Sequence, residues 1–171
     1  MAAREDTPAV FQEKQRFRQP WIWALLLGIA GLSIYSFVQQ IFLGEPFGSN
    51  PAPDYMVAII AVFFGLGFPI VFSQINLTTE VRPEGVYYRF FPFQLSFRKI
   101  SPEDIASYEA REYSPVKEYG GWGIRFGPSG KAYNISGSRG VQFRFVDGKQ
   151  LLIGSRRADE MAAAMSRAFG K

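Results

Sequence analysis

A chain of 171 residues has room for one ordinary domain, and a net charge of +4 with 47% apolar residues describes, on average, a soluble protein. It contains no His and no Cys, which excludes disulfides, thiol nucleophiles, imidazole bases, Ser-His-Asp triads and Cys/His zinc sites. The apolar residues are concentrated in two blocks before residue 76, so the averages describe neither half of the chain.

Residues 1–20 read as a polar N-terminal segment whose basic residues are Arg4, Lys14, Arg16 and Arg18. From Trp21 to Leu43 the chain carries no charge, and from Tyr55 to Ile75 it carries none again. An α-helix needs roughly 20 residues to cross a hydrocarbon core of about 30 Å, so both runs are long enough. The connection between them is rich in Pro, Gly, Ser and Asn and too short to fold alone. The expected element is a transmembrane helical hairpin over 21–75, with spans at 21–43 and 55–75. A cleaved signal peptide competes for the first run. Against it, signal h-regions are about 7 to 15 residues long, no small-x-small site follows, and a second run comes directly after.

Lys and Arg flank the hairpin on both outer sides, and its inner loop carries only Glu45 and Asp54. By the positive-inside rule both termini face the cytoplasm, which makes this a multi-pass protein of the inner (cytoplasmic) membrane. Ala24 and Gly28 on the first span, and Ala61 and Gly65 on the second, form small-xxx-small pairs that let two backbones approach closely. They are the expected helix-packing contacts. Pro69 is expected to bend the second span. Neither run contains Asp, Glu, Lys or Arg, so the usual signature of an ion or proton path is missing.

Residues 76–171 read as a mainly-β domain, with a turn signal about every ten residues. Asn76–Arg82 is the first strand, ended by Pro83 and Gly85. The second alternates Val86, Tyr88 and Phe90 with Tyr87, Arg89 and Phe91. A third alternates Leu95 and Phe97 with Ser96 and Arg98 and ends near Ser101-Pro102, and a fourth runs from about Ile105 to Tyr113. Strands around Trp122–Phe126 and Lys131–Ile135 follow, then a hairpin over Val141–Ile153 turning on Asp147-Gly148 as a two-residue type I′ turn. Gly137, Gly140 and Gly148 are expected at positive φ. From Ala158 the pattern is helical, with Met161, Met165, Ala168 and Phe169 on one face. About seven strands and one helix suggest an antiparallel barrel or sandwich with the helix over one open end.

That order resembles the pleckstrin-homology (PH)-like fold of prokaryotic membrane proteins. The stretch Gly130-Lys-Ala-Tyr-Asn-Ile-Ser-Gly-Ser-Arg-Gly-Val-Gln142, with Leu152-Ile-Gly-Ser155 and the helix after it, resembles a family of uncharacterised two-span membrane proteins carrying such a domain. The resemblance covers effectively the whole chain. It implies a membrane hairpin followed by a PH-like barrel, and it brings no catalytic residue or cofactor with it.

Several cations occupy strand positions: Arg82, Arg89, Arg98, Lys99, Arg125, Arg139 and Arg144. Arg82, Arg89, Arg98, Lys99 and Arg139 are the candidate lipid or anion contacts, because basic residues near a bilayer are drawn to anionic headgroups by about 1 kcal/mol each. A solvated sheet face obeying the positive-inside rule is the plainer explanation. The glycine-containing stretches 127–131 and 136–140 lack Walker A spacing and read as turns. No Asp or Glu pair stands beside a recognisable nucleophile, so an enzyme is disfavoured. From residue 76 onward there are 15 Lys or Arg against 10 Asp or Glu, without a recognition motif, so nucleic acid is not an expected partner. The expected function is a membrane-anchored interaction or scaffold module that binds a protein partner or a second copy of itself. Tyr87, Phe91 and Tyr119 are candidate contacts. The alternative is a sensor of anionic lipid or a small anion.

Overall fold

The structure is a computed structural model in which residues 8–170 are described; Arg4 of the N-terminal segment lies outside that range. Contacts divide the chain into two compact units. One is Arg18–Gln74, and the other joins the described residues before Arg18 to those from Ile75 onward.

The first unit is an antiparallel pair of helices, α1 (Pro20–Phe42) and α2 (Asp54–Gln74). Pro20 opens α1 at a position where its missing N–H is no loss, and Asp54 sits at the positive end of α2. Gln40 closes the connection by donating to the Ala52 carbonyl and to Asp54 Oδ1, both at 2.7 Å. The middle of α2, Ala61–Gly67, is π-helical. Pro69 follows directly; its ring would strike the carbonyl one turn back in a regular α-helix, and a widened preceding turn relieves that clash. The disturbance expected as a bend therefore takes the form of a π-helical stretch.

Helix packing corrects half of the small-residue expectation. Ala61 and Gly65 are buried, and a Cβ on Gly65 would come within 2.9 Å of Ile34 Cγ1. Ala24 and Gly28 face outward instead, and a Cβ on Gly28 would meet nothing within 4 Å. The inward stripe of α1 is Leu26, Ala30, Ser33 and Ser36. Ser33 and Ser36 satisfy their hydroxyls on the Ile29 and Ser33 carbonyls of their own helix.

The second unit consists of two open sheets and a helix. The first sheet has the order β1-β2-β3-β4, with β1 (Phe11–Arg16), β2 (Asn76–Arg82), β3 (Gly85–Phe91) and β4 (Arg98–Ile100). The second has the order β5-β8-β9-β7-β6, with β5 (Ile105–Glu112), β6 (Gly123–Gly127), β7 (Gly130–Asn134), β8 (Arg139–Phe145) and β9 (Gln150–Gly154). A short helix, α3 (Pro115–Tyr119), follows β5, and α4 (Ala158–Phe169) ends the chain. The expected barrel is corrected: the sheets do not close, and β7 pairs with β9 in parallel. One core joins both sheets to α4, with Leu77, Val86 and Phe90 from the first, Tyr133, Val141, Phe143 and Ile153 from the second, and Met161 and Met165 from the helix. Tyr88 and Phe90 meet Tyr133 across the sheets at ring distances of 5.0 and 6.3 Å.

The strand β1 had no counterpart among the strands read from sequence. It pairs antiparallel with β2 from Phe11↔Val81 to Arg16↔Asn76, so the segment before the hairpin belongs to the β unit. Gln15 donates to the Gly154 carbonyl at 2.7 Å, and Glu13 accepts from the Ser155 hydroxyl and the Arg156 N–H. Phe17 and Ile75, on either side of the apolar hairpin, pack against the core of the β unit. In chain order the hairpin is thus the connection of a β1–β2 strand pair.

Three local expectations also change. The third strand is Arg98–Ile100, and residues from Pro92 to Phe97 form a loop. The Gln94 side chain accepts the Phe90 N–H at 3.0 Å while the Gln94 N–H donates to the Phe90 carbonyl at 2.8 Å, so Phe90 bonds within the loop and β4 starts later. The turn after β8 has Gly148 alone at positive φ, with Gly148 N–H on the Phe145 carbonyl and Phe145 N–H on that of Lys149. This is a three-residue turn with a glycine bulge, where type I′ needs two positive-φ residues. Gly140 is not at positive φ; a Cβ there would lie 2.6 Å from the Ile153 carbonyl oxygen.

Candidate functional site

Residues directly opposed in a β ladder share a face, so the register of the first sheet sorts its side chains. Val86, Tyr88 and Phe90 face the core. The other face carries the rows Gln12–Glu80–Tyr87–Lys99, Lys14–Thr78–Arg89 and Arg16–Asn76–Phe91. It is unusual in how much of it is covered. Glu80 is 1% exposed and Tyr87 2% exposed, although both point away from the core.

Arg82 donates from Nε and Nη2 to the Glu80 carboxylate at 3.1 and 2.8 Å, and both side chains of this ion pair are buried. The Arg82 guanidinium and the Lys99 ammonium each lie 5.8 Å from the centre of the Tyr87 ring. One row along, Arg89 stands 4.7 Å from the Phe97 ring centre and 5.9 Å from that of Phe91. Cations over aromatic faces in this way contribute about 0.5–1 kcal/mol each where solvent reaches them. The face is an alternation of cations and rings.

The five candidate contacts separate accordingly. Arg82 is neutralised by Glu80. Arg89 and Lys99 share the cation-and-ring face. Arg98 is opposed to Tyr88 and lies on the core-facing side of the short edge strand, exposed beyond the core. Its charge acts on the Tyr88 phenol, but burial outweighs it, together with repulsion by Tyr133, and pushes that phenol up to about 12. Arg139 belongs to the second sheet and pairs with Asp159 at 2.9 Å, an exposed pair worth about 0–1 kcal/mol. Arg144 pairs with Glu109, and Arg125 donates to the Trp122 carbonyl. The structure therefore brings Arg89 and Lys99 together, sets Arg98 beside them across the sheet, and leaves Arg139 out.

The loop joining β3 to β4 completes this region. Gln94 is held at both ends, on the Phe90 backbone and by donating to the Tyr133 hydroxyl at 3.0 Å. On either side of it Phe93 and Leu95 are 69% and 78% exposed. The sequence offers the signal in FFPFQLSF, but the alternation after Pro92 reads as strand, whereas Gln94 bonds back to Phe90 within a loop. Of the aromatics expected as contacts, Tyr87 and Tyr119 are buried and Phe91 is half-buried. The exposed ones of the β unit are Phe93 and Phe126.

The second sheet differs. Its outer side is covered by α3 and carries a second small core of Tyr113, Tyr119, Ala132 and Leu152. Arg111 donates to Glu118 at 2.8 Å and to the buried Gln142 at 3.1 Å, and Tyr119 donates to the same Gln142 oxygen at 3.3 Å. The Arg111 hydrogen bond holds the Glu118 carboxyl below its usual range, and burial pushes the Tyr113 phenol up to about 12. Arg111, Glu118, Gln142 and Tyr119 thus satisfy one another in a structural network. Among the described residues no group of three or more carboxylates is placed to hold a metal ion.

Fold and site define a two-part protein, an apolar two-helix hairpin spliced into a strand pair of a two-sheet β unit. The chain belongs to the DUF6141 family, a family of unknown function, which matches residues 2–170. No curated protein and no solved structure matches it.

Proposed function

We propose that the chain is a membrane-anchored interaction module: the hairpin crosses the cytoplasmic membrane, and a PH-like β unit held at its inner face serves as a scaffold for a protein partner. The observation that carries this reading is the β1–β2 ladder. Pairing of Arg16 with Asn76 brings together the two chain ends from which α1 and α2 depart, as an anchor with both ends on one side of a bilayer requires. The Lys and Arg excess at those ends supports a cytoplasmic location for that side. Both helices are long and apolar enough to span, and only 17% of each apolar window is buried. Two stacked sheets followed by a C-terminal helix support the PH-like comparison in element order, while β1 and the parallel β7–β9 pair are additions to it.

The test is photo-crosslinking in native membranes, using full-length chains with a photoreactive residue at Phe126 or at Val146, both exposed on the β unit. The reading predicts one protein species, captured reproducibly from one position and not from the other. A second copy of the chain as that species makes the scaffold a homo-oligomer. Absence of any protein adduct at either position contradicts the reading.

A further inference from the structure

We propose that the loop between β3 and β4 is a membrane-inserting finger: Phe93 and Leu95 enter the interfacial layer of the bilayer that holds the hairpin, while Arg89, Arg98 and Lys99 engage anionic lipid headgroups. This rests on the membrane reading above and deepens it by naming a lipid-contacting site.

Phe91, the last residue of β3, is opposed to Asn76, which is opposed in turn to Arg16. Asn76 stands two residues after the end of α2, within roughly 7 Å of chain reach. Arg16 stands four residues before the start of α1. By connectivity alone, the loop leaves the sheet at the end where the chain enters and leaves the apolar hairpin. The opposite end of that sheet is marked by Phe11, Val81 and Val86, opposed in the same way.

Phe93 and Leu95 are among the most exposed large apolar side chains of the β unit, and they flank the residue that fixes the loop. Gln94 bonds to the Phe90 backbone in both directions and to Tyr133 of the core. The apolar tips are thus presented by a built loop, and Phe93 rests at 6.0 Å from the Phe90 ring. An ordered loop holding two apolar tips outward suits an interface in which such side chains are favoured.

Charge selects the lipid. Arg89 precedes the loop, and Arg98 and Lys99 follow it directly. None of the three is ion-paired with a carboxylate among the described residues. The segment from Val86 to Ser101 contains no Asp or Glu. Arg89 and Lys99 are held over rings, which leaves their charge available to an anion. Apolar tips flanked by unpaired cations fit a surface of hydrocarbon beneath phosphate.

The chain has no native Cys, so single-cysteine variants carry one environment-sensitive fluorophore each. The full-length protein is reconstituted in vesicles of phosphatidylcholine with or without 30% phosphatidylglycerol, about a third anionic, and shallow spin-labelled lipid serves as quencher. Label on Leu95→Cys, and independently on Phe93→Cys, is expected to emit in the blue and to lose more than half its intensity to the lipid quencher. Label on Val146→Cys is expected to stay water-like; the Val146 N–H bonds to the Asp104 carbonyl, and the Pro102–Asp104 turn follows Ile100, which is opposed to Val86 at the far end of the first sheet. Label on Leu32→Cys, within α1, reports the anchor itself. Quenching at 32 with water-like, iodide-accessible label at both 93 and 95 overturns the finger and leaves the anchor standing. No lipid quenching at 32 overturns the membrane reading on which the finger rests. Equal quenching at 95 in the two vesicle types overturns the assignment to anionic lipid.

Discussion

The two units bury opposite kinds of residue. In the hairpin the inward positions are Ala30, Ser33, Ser36, Ala61 and Gly65 with only Leu26 and Val57 among large side chains, while Leu25, Leu27, Leu32, Ile59 and Phe63 face out. In the β unit Leu77, Phe90, Phe143 and Met161 are inside, and Arg, Lys, Asp and Glu dominate the outside. A protein places outward whatever its solvent accepts. The β unit is fitted to water, where burial of apolar area drives folding. The hairpin turns outward side chains suited to a solvent as apolar as themselves, which the bilayer proposed for it would supply; there, close backbone approach takes over that role.

The largest test of this contrast is truncation of the same kind in each unit. Phe143→Ala should destabilise the β unit by about 3–5 kcal/mol, measured by denaturant unfolding followed through near-ultraviolet circular dichroism. Leu32→Ala, at a 58% exposed hairpin position, should leave that transition unmoved. A comparable loss from both would erase the distinction between the units.

Next in size is a charge on the outward face of α1. Leu32→Arg should disfavour insertion by about 2.5–3.5 kcal/mol, read as the fraction of chain in the membrane pellet after alkaline extraction. If this face met water, the substitution would instead be neutral and the extracted fraction unchanged.

Packing within the hairpin is a smaller effect. Gly65→Leu places a side chain where a Cβ alone already meets Ile34 at 2.9 Å, and should lower stability in detergent by about 1–3 kcal/mol. Gly28→Leu, on the open side of α1, should be without cost. The reverse order would mean that the original small-residue pairing through Ala24 and Gly28 is the one the helices use.

The smallest expected effect is on the β unit's alkaline limit. Burial raises the phenols of Tyr88 and Tyr113 to about 12 from an ordinary value of 10.0. The folded state therefore holds these protons more tightly than the unfolded chain. Their contribution to stability is complete below about pH 10 and is lost as pH rises toward about 12. Tyrosinate absorbance should show a late-titrating component to which Tyr88 and Tyr113 contribute, reduced by Tyr88→Phe. Simultaneous titration of all tyrosines near 10 would contradict the burial assigned to both.

Much of this was readable from residue order. Uncharged runs of spanning length, alternation in β3 and β8, and Met161 and Met165 on one face of α4 each carry a local period. What was not readable has no local period. Phe11–Arg16 reads FQEKQR, with one apolar residue, and becomes a strand only because β2, some sixty residues later, offers it a ladder. The inward face of α1 was hidden because a helix apolar all round has no amphipathic direction; Ala30 lies inward and Gly28, two residues away, on the opposite side. Tyr87 looked like a surface aromatic because alternation assigns it away from the core, and β3 turned out to be covered on both faces. The cations were visible one by one, but not which would be spent on Glu80 or Asp159.

The central claim is that a membrane hairpin is closed at its base by the β1–β2 ladder, with the β unit on the cytoplasmic side. The most direct measurement is labelling of Ser49→Cys and Val146→Cys, in separate chains otherwise free of cysteine, with a membrane-impermeant maleimide in intact cells and after lysis. The account predicts that Cys at 49, in the connection between the helices, reacts in intact cells, and that Cys at 146 reacts only after lysis. Reaction at 146 in intact cells, or none at 49 before lysis, would contradict it.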